Sequence, residues 1–139
     1  MIARFILLAA LVVGAIFAGM TNPMGTIAFG TGYDDGTSSI QGPGTVFPVS
    51  GVISWLGHFN RTPGTTTLIR RVIHSGPGGA KAVEGAISVS INDADASGIY
   101  ANRTVNELEQ ELHIGPGTYT MQYLAGSTIL AEGTFTLTQ

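Results

Sequence analysis

Apolar and polar residues alternate over much of the chain beyond residue 25. Ile87, Val89 and Ile91 are separated by single polar residues, and residues 118–123 and 128–138 repeat this pattern. A period of two predicts strands that turn one face to a core and the other face to water. A short Gly-containing turn joins the last two runs, which predicts a hairpin.

Other strands are predicted from less regular patterns. Residues 66–74 are apolar on both faces, which favours a central strand, and shorter strands are expected at residues 26–29 and 45–49. Seven or so short strands with turn signals between them are typical of an antiparallel β-sandwich. The predicted fold class is therefore all-β.

The inward faces of these strands predict one core. Its expected members are Ile53, Trp55, Ile87, Val89, Tyr119, Met121, Phe135 and Leu137. Trp55 is expected to fill the space between the two sheets, and a sugar-stacking surface is the alternative role for its ring. Tyr119 follows the Pro116-Gly117 turn, where it could pack plainly in the core or form a hydrogen bond like that of a tyrosine corner.

Residues 104–112 fit two kinds of element. Val105, Leu108 and Leu112 are spaced as on one face of a helix. Every second residue from Glu107 to Glu111 is acidic, however, as on the outward face of a strand. A helix would place two of these carboxylates four residues apart, which costs a few tenths of a kcal/mol. We favour the strand and keep the helix as the alternative.

Residues 47–139 resemble the immunoglobulin-like modules of bacterial surface and secreted proteins. The residues that carry the resemblance are Val52-Ile53-Ser54-Trp55, Pro116-Gly117-Thr118-Tyr119 and Ala131-Glu132-Gly133-Thr134-Phe135. The resemblance implies that the second of these motifs opens the penultimate strand and that the third lies in the last strand. A fold of this kind does not by itself imply a function.

The N-terminal part of the chain has a different composition. Residues 5–20 carry no charge, Arg4 precedes them and Pro23 follows them. This pattern predicts a secretory signal peptide, or else an uncleaved membrane anchor helix that spans residues 2–20. We therefore divide the chain into residues 1–24, the signal peptide or anchor helix, and residues 25–139, the β-sandwich. Both interpretations export the sandwich to the extracellular or periplasmic side.

Composition excludes several classes of protein. The chain has 139 residues, no Cys, 11% charged residues and a formal net charge of -3. The absence of Cys excludes disulfides, thiolate metal sites and cysteine nucleophiles. A net negative chain with six scattered Lys and Arg residues is not expected to bind nucleic acid.

One loop has the ligand spacing of a calcium site. Asp93, Asp95 and Ser97 occupy alternate positions and Gly98 follows them, as in the first part of a calcium-binding loop. The twelfth position of such a loop supplies a carboxylate, but here it is Thr104. We therefore favour a solvated acidic turn, with calcium as the alternative and the one cofactor considered.

Other motifs do not predict chemistry. The Gly-rich residues 75–81 lack the Gly-Lys-Ser/Thr ending of a phosphate-binding loop. His58, His74 and His113 have no metal-binding spacing, so each is expected at the surface or at a strand edge. We predict that the protein is not an enzyme.

The expected function is binding or structural spacing at the cell surface by an exported or membrane-anchored module, with a surface protein or a glycan as its partner. One alternative is a calcium- or glycan-binding module. The other is a subunit of a surface filament, in which the Gly-rich residues 25–44 pair with the sheet edge of a neighbouring copy.

Overall fold

The computed structural model of the protein describes residues 25–75 and 81–139. The predicted signal peptide or anchor helix, residues 1–24, lies outside the described residues, and so do residues 76–80 of the Gly-rich loop. Within the described ranges, no helix combines the length and the apolarity needed to cross a membrane.

Ten strands and one helix form the described part of the chain. In chain order they are β1 (Gly25–Gly30), β2 (Gly32–Asp34), β3 (Ser39–Gln41), β4 (Val46–Pro48), β5 (Val52–His58), β6 (Thr67–Ser75), β7 (Lys81–Ser90), β8 (Gly98–Thr104), α1 (Val105–Leu112), β9 (Gly117–Ala125) and β10 (Thr128–Thr138). The prediction of a mostly β protein is confirmed.

Eight of the described strands form one curled sheet. Its order is β7-β6-β9-β10-β1-β5-β8, with β4 paired to β10, while β2 and β3 form a separate hairpin. Trp55 on β5 donates a hydrogen bond of 2.8 Å to the hydroxyl of Tyr123 on β9, although β10 and β1 separate these two strands in the sheet. The sheet therefore folds over, and its inner face packs against itself as in a sandwich.

The sheet is not wholly antiparallel, in contrast to the prediction. β1 and β4 both run parallel to β10, and β1 also pairs antiparallel with β5. β1 contributes Ile27 and Phe29 to the core, where 6% and 4% of their surfaces are exposed. Residues 25–44, which the filament alternative treats as an arm for a neighbouring copy, contribute β1 to the sheet and the small hairpin of β2 and β3 to their own chain.

The prediction of a strand at residues 104–112 is wrong, because Val105–Leu112 is helix α1. A capping box begins the helix: the backbone N–H of Glu107 donates to the Thr104 hydroxyl at 3.0 Å, and that of Thr104 donates to the Glu107 carboxylate at 2.8 Å. The buried side chains of the helix are Val105, Leu108 and Leu112. Burial of such side chains contributes about 1.5–3 kcal/mol each, which outweighs the repulsion between acidic neighbours.

Helix α1 lies against both strands at the ends of the sheet, β7 and β8. Its C-terminal end comes very close to Gly85 on β7, where a Cβ atom would lie 2.2 Å from the carbonyl oxygen of Leu112. Glycine at this position therefore permits the helix to cover one end of the gap between β7 and β8.

The predicted core is confirmed. All eight predicted residues belong to one hydrophobic cluster: Ile53, Trp55, Tyr119, Met121, Phe135 and Leu137 are buried in it, and Ile87 and Val89 pack against it partly buried. The two exceptions to full burial are both on β7, an edge strand.

Candidate functional site

The two end strands of the sheet border a cleft of about 620 Å³. Residues 89–93 form one wall, residues 98–103 form the other, and Arg70 and Tyr123 lie at the floor. Helix α1 lies against both strands at one end of the cleft, and the loop between β7 and β8 joins the walls at the other end. The cleft is thus built from the ends of the sheet and is open between them.

Each wall presents a free strand edge. In the described sheet, β7 pairs with β6 alone and β8 with β5 alone. The second edge of each strand therefore has backbone N–H and C=O groups without a neighbouring strand to receive them. Such an edge is a template for the pairing of another extended chain.

The walls are apolar on their inner faces. Val89, Ile91, Ile99 and Ala101 are all partly buried and pack against the core. Side chains two residues apart on a strand point to the same face, so these groups extend the core towards the cleft. They stay partly exposed because no further strand covers them.

The floor of the cleft contains a buried cation. Arg70 is 2% exposed, and its guanidinium carbon lies 5.2 Å from the centre of the Trp55 ring. Its Nη1 lies 3.5 Å from the hydroxyl of Tyr123, which also accepts the hydrogen bond from Trp55. The face of an indole ring attracts a cation, so Trp55 helps to offset the cost of burying this charge.

The α1 end of the cleft has two cations and one carboxylate. Glu111 on α1 lies 2.5 Å from Nη2 of Arg70 and 3.6 Å from Nη2 of Arg103. Among the described residues, Nε of Arg70 is buried without a hydrogen-bond acceptor. The cluster therefore has an excess of one positive charge and at least one donor that remains unused.

Sequence reasoning missed this cleft. Arg70 stands out in the sequence only through its neighbour Arg71, and its hydrogen-bond partners lie 41 and 53 positions away. One signal was available: Arg70 is a cation inside the predicted central strand of residues 66–74, where a charge needs a partner.

The predicted calcium loop forms a turn at one end of the cleft. Asp93 lines the cleft, and its Oδ1 accepts a hydrogen bond of 2.8 Å from the backbone N–H of Asp95. The carbonyl of Ser97 accepts from the backbone N–H of Phe59 at 2.9 Å. Within the described residues, no three His, Cys, Asp or Glu side chains gather as a metal site would require. Calcium binding at this loop stays the alternative to a solvated turn.

The two aromatic residues singled out from the sequence have defined places. Trp55 is fully buried, which confirms its core position and rules out its ring as a sugar-stacking surface. Tyr119 donates a hydrogen bond of 2.8 Å to the carbonyl oxygen of Gly115, four residues earlier. The bond resembles that of a tyrosine corner, which is one of the two roles considered for Tyr119 from the sequence.

The three histidines lie in different parts of the molecule. His113 ends α1 with a left-handed backbone (φ 59°), and the His74 ring lies 5.3 Å from that of Tyr119. His58, at the end of β5, keeps contact with solvent, but desolvation of the rest of its ring lowers its pKa below the usual value.

His58 borders a second, smaller groove of about 190 Å³. The rings of Tyr33 and Tyr100 stack beside it with their centres 3.9 Å apart, and 42% of the Tyr100 surface remains exposed. This groove lies on the outer face of β5 and β8, where Tyr33 comes from the separate hairpin.

Comparisons with known proteins give a likeness at the level of structure. No family model matches the chain, and no curated protein matches it. An immunoglobulin-like protein from Pseudomonas aeruginosa, known from a crystal structure, is similar with a TM-score of 0.46 and 16% sequence identity. The match covers 84% of this chain and 98% of that chain.

Proposed function

We propose that the protein is an immunoglobulin-like, non-catalytic binding module that holds an extended segment of a partner protein in the cleft between β7 and β8. The observation that carries the proposal is the cleft itself, which lies between two free strand edges. A segment placed there would extend the sheet from either side and would cover its unpaired backbone groups.

The chemistry of the walls supports an extended segment. Apolar side chains on alternate positions of such a segment would meet Val89, Ile91, Ile99 and Ala101, which are only partly buried. Polar side chains on the other positions would face water, as they do on the outer face of the sheet. The backbone would supply affinity and the alternate side chains would supply specificity.

The immunoglobulin-like part of the proposal has its own support in this chain. The sheet curls so that its inner face packs against itself, and Tyr119 makes the hydrogen bond of a tyrosine-corner type. Both features are typical of immunoglobulin-like sandwiches.

We place the module outside the cytoplasm, either secreted or anchored through residues 2–20. The support is the apolar run after Arg4 in the sequence. Fractionation of expressing cells, followed by mass measurement of the recovered chain, tests this. Loss of residues 1 to about 20 indicates a cleaved signal, and an intact chain in the membrane fraction indicates an anchor. An intact chain in the cytoplasm would contradict both.

The binding proposal is tested with the full chain in detergent. The probes are capped ten-residue peptides in which Val alternates with Ser, and binding is mapped through the backbone amide NMR signals. We expect changes along β7 and β8. Ala101→Trp, which fills the cleft, should abolish them, whereas Thr134→Trp on the exposed face of β10 should leave them intact. Changes elsewhere, or equal binding by Ala101→Trp, would contradict the proposal.

Glycan binding is the second candidate function. The stacked rings of Tyr33 and Tyr100 border a groove that also contains His58, and flat aromatic faces beside polar groups suit a sugar ring. Calorimetry with maltohexaose and chitohexaose tests this candidate. Binding lost in Tyr33→Ala and kept in Tyr33→Phe would support it, and an absence of heat with both sugars would contradict it for these sugar classes.

A further inference from the structure

The three charged residues at the α1 end of the cleft are not equally paired. One oxygen of Glu111 lies 2.5 Å from Arg70, whereas its other oxygen lies 3.6 Å from Arg103. Charge-assisted hydrogen bonds between nitrogen and oxygen have lengths of about 2.7–2.9 Å. Glu111 therefore forms a hydrogen-bonded ion pair with Arg70, and its contact with Arg103 is too long for a hydrogen bond.

Arg103 is the accessible cation of this group. Its side chain is 33% exposed and lines the cleft, whereas Arg70 is buried below it. Nη1 of Arg103 donates to the backbone carbonyl of Asn102 at 3.0 Å. A guanidinium has five N–H donors in a planar fork that fits a carboxylate, so most of the donors of Arg103 remain available.

The surroundings favour an anion at this end of the cleft. Arg70 and Arg103 bring two positive charges to this end and Glu111 brings one negative charge, which lies closer to Arg70. At the other end of the cleft, Asp93 is negative. The charged residues that line the cleft therefore differ in sign between its ends: Arg70 and Arg103 lie at the α1 end and Asp93 lies at the β7–β8 loop.

We infer that the extended segment bound in the cleft carries an acidic side chain, Asp or Glu, whose carboxylate pairs with Arg103 at the α1 end. The inference rests on the proposed function, because it names the chemistry of the segment that the cleft holds. Asp93 repels an acid at the opposite end, so the charges also fix the direction in which the segment lies.

The experiment uses the full chain in detergent and fluorescein-labelled versions of the alternating Val and Ser peptides. A single Asp replaces one residue at each position in turn, and a matched peptide carries Asn at the same position. At one position we expect the Asp peptide to bind about tenfold more tightly than the Asn peptide. This preference should fall in about 0.5 M salt, because partly exposed charges are screened.

Variants of the protein locate the effect. In Arg103→Gln the Asp and Asn peptides should bind with about equal affinity. Arg103→Lys should keep part of the preference for Asp because the positive charge remains. Arg71→Gln is the matched control, since Arg71 binds Gln122 away from the cleft at 2.8 Å, and it should keep the full preference.

The outcomes separate this inference from the proposed function. Binding along β7 and β8 with equal affinity for Asp and Asn peptides would overturn the inference and leave the proposed function in place. A preference for Asp that survives in Arg103→Gln would also overturn it. If no peptide changed the NMR signals of β7 and β8, both the inference and the proposed function would be contradicted.

Discussion

The middle strands β9 and β10 and the edge strands β7 and β8 all turn residues towards the core, but these residues are buried to different extents. Met121 and Phe135 in the middle are fully buried, whereas Val89 and Ala101 at the edges are only partly buried. The middle strands have neighbours on both sides, and each edge strand has one. Alternation of apolar and polar residues therefore predicts a strand, while the place of the strand in the sheet determines how far its inner face is covered.

Among the tests of this comparison, we expect the largest effect on stability from the substitution Trp55→Ala in the middle of the molecule. It removes the largest fully buried side chain and the hydrogen bond to Tyr123, so we expect a loss of about 3–5 kcal/mol in the free energy of unfolding. Urea unfolding measures it. Trp55→Phe keeps much of the ring volume and should cost less, and a loss below about 1 kcal/mol for Trp55→Ala would contradict the tight packing described here.

The second test breaks the ion pair beneath the cleft. Glu111→Ala leaves Arg70 buried without its carboxylate, and we expect a loss of about 2–3 kcal/mol, below that of a fully buried pair because Glu111 is 27% exposed. Gln110→Ala, on the exposed side of α1, is the control and should change stability by less than about 0.5 kcal/mol. Equal effects of the two substitutions would show that the pair does not stabilise the fold.

The third test compares the two regions directly. Met121→Ala in the middle should cost about 3 kcal/mol, since it leaves a cavity in packed surroundings. Val89→Ala at the edge should cost about 1 kcal/mol, because its side chain is already partly exposed and less apolar surface is lost. The difference of about 2 kcal/mol is read from paired urea unfolding curves, and a difference near zero would remove the distinction between middle and edge.

The fourth test concerns the helix that covers one end of the gap. Thr104→Ala removes the hydroxyl that accepts from Glu107, and loss of such a cap costs about 1 kcal/mol. Thr104→Ser keeps the hydroxyl and serves as the control. Circular dichroism during thermal unfolding measures both, and equal melting temperatures for wild type and Thr104→Ala would contradict a stabilising role of the capping box.

The smallest expected effect is that of calcium on the loop at the other end of the cleft. Two carboxylates at Asp93 and Asp95 supply too few oxygens for tight binding, so the dissociation constant should be millimolar or weaker. Calorimetry on the full chain with calcium chloride tests this. A micromolar constant that Asp95→Ala abolishes would contradict the expectation and would add a metal site to the edge region.

The sequence predicted the middle of the molecule better than its edges. Strands, core members and the Tyr119 hydrogen bond follow from local alternation and turn residues, which are visible within about ten positions. The helix at residues 104–112 was missed because repulsion between carboxylates was weighed without the burial of Leu108 and Leu112 or the cap from Thr104.

The cleft could not be predicted from the sequence for a different reason. It depends on the pairing order of the strands, which leaves β7 and β8 at the two ends of a curled sheet. Arg70, Arg103 and Glu111 come from three elements, and no local spacing links them. Two parallel pairings with β10 also arise from this order and have no signature within the strands themselves.

The position of β1 has a consequence for how the chain folds. β1 is the first described strand, yet it lies between β5 and β10, and β10 is the last strand of the sheet in chain order. Contacts this distant in sequence form slowly, because closing the long loop between them costs conformational entropy before the contacts can stabilise the chain. During synthesis β1 can pair with β5 first, and only its parallel pairing with β10 must wait until β10 has been synthesised. Until then the core side chains of β1 are without their contacts to β10, such as that between Phe29 and Phe135, so the hydrophobic core is completed last.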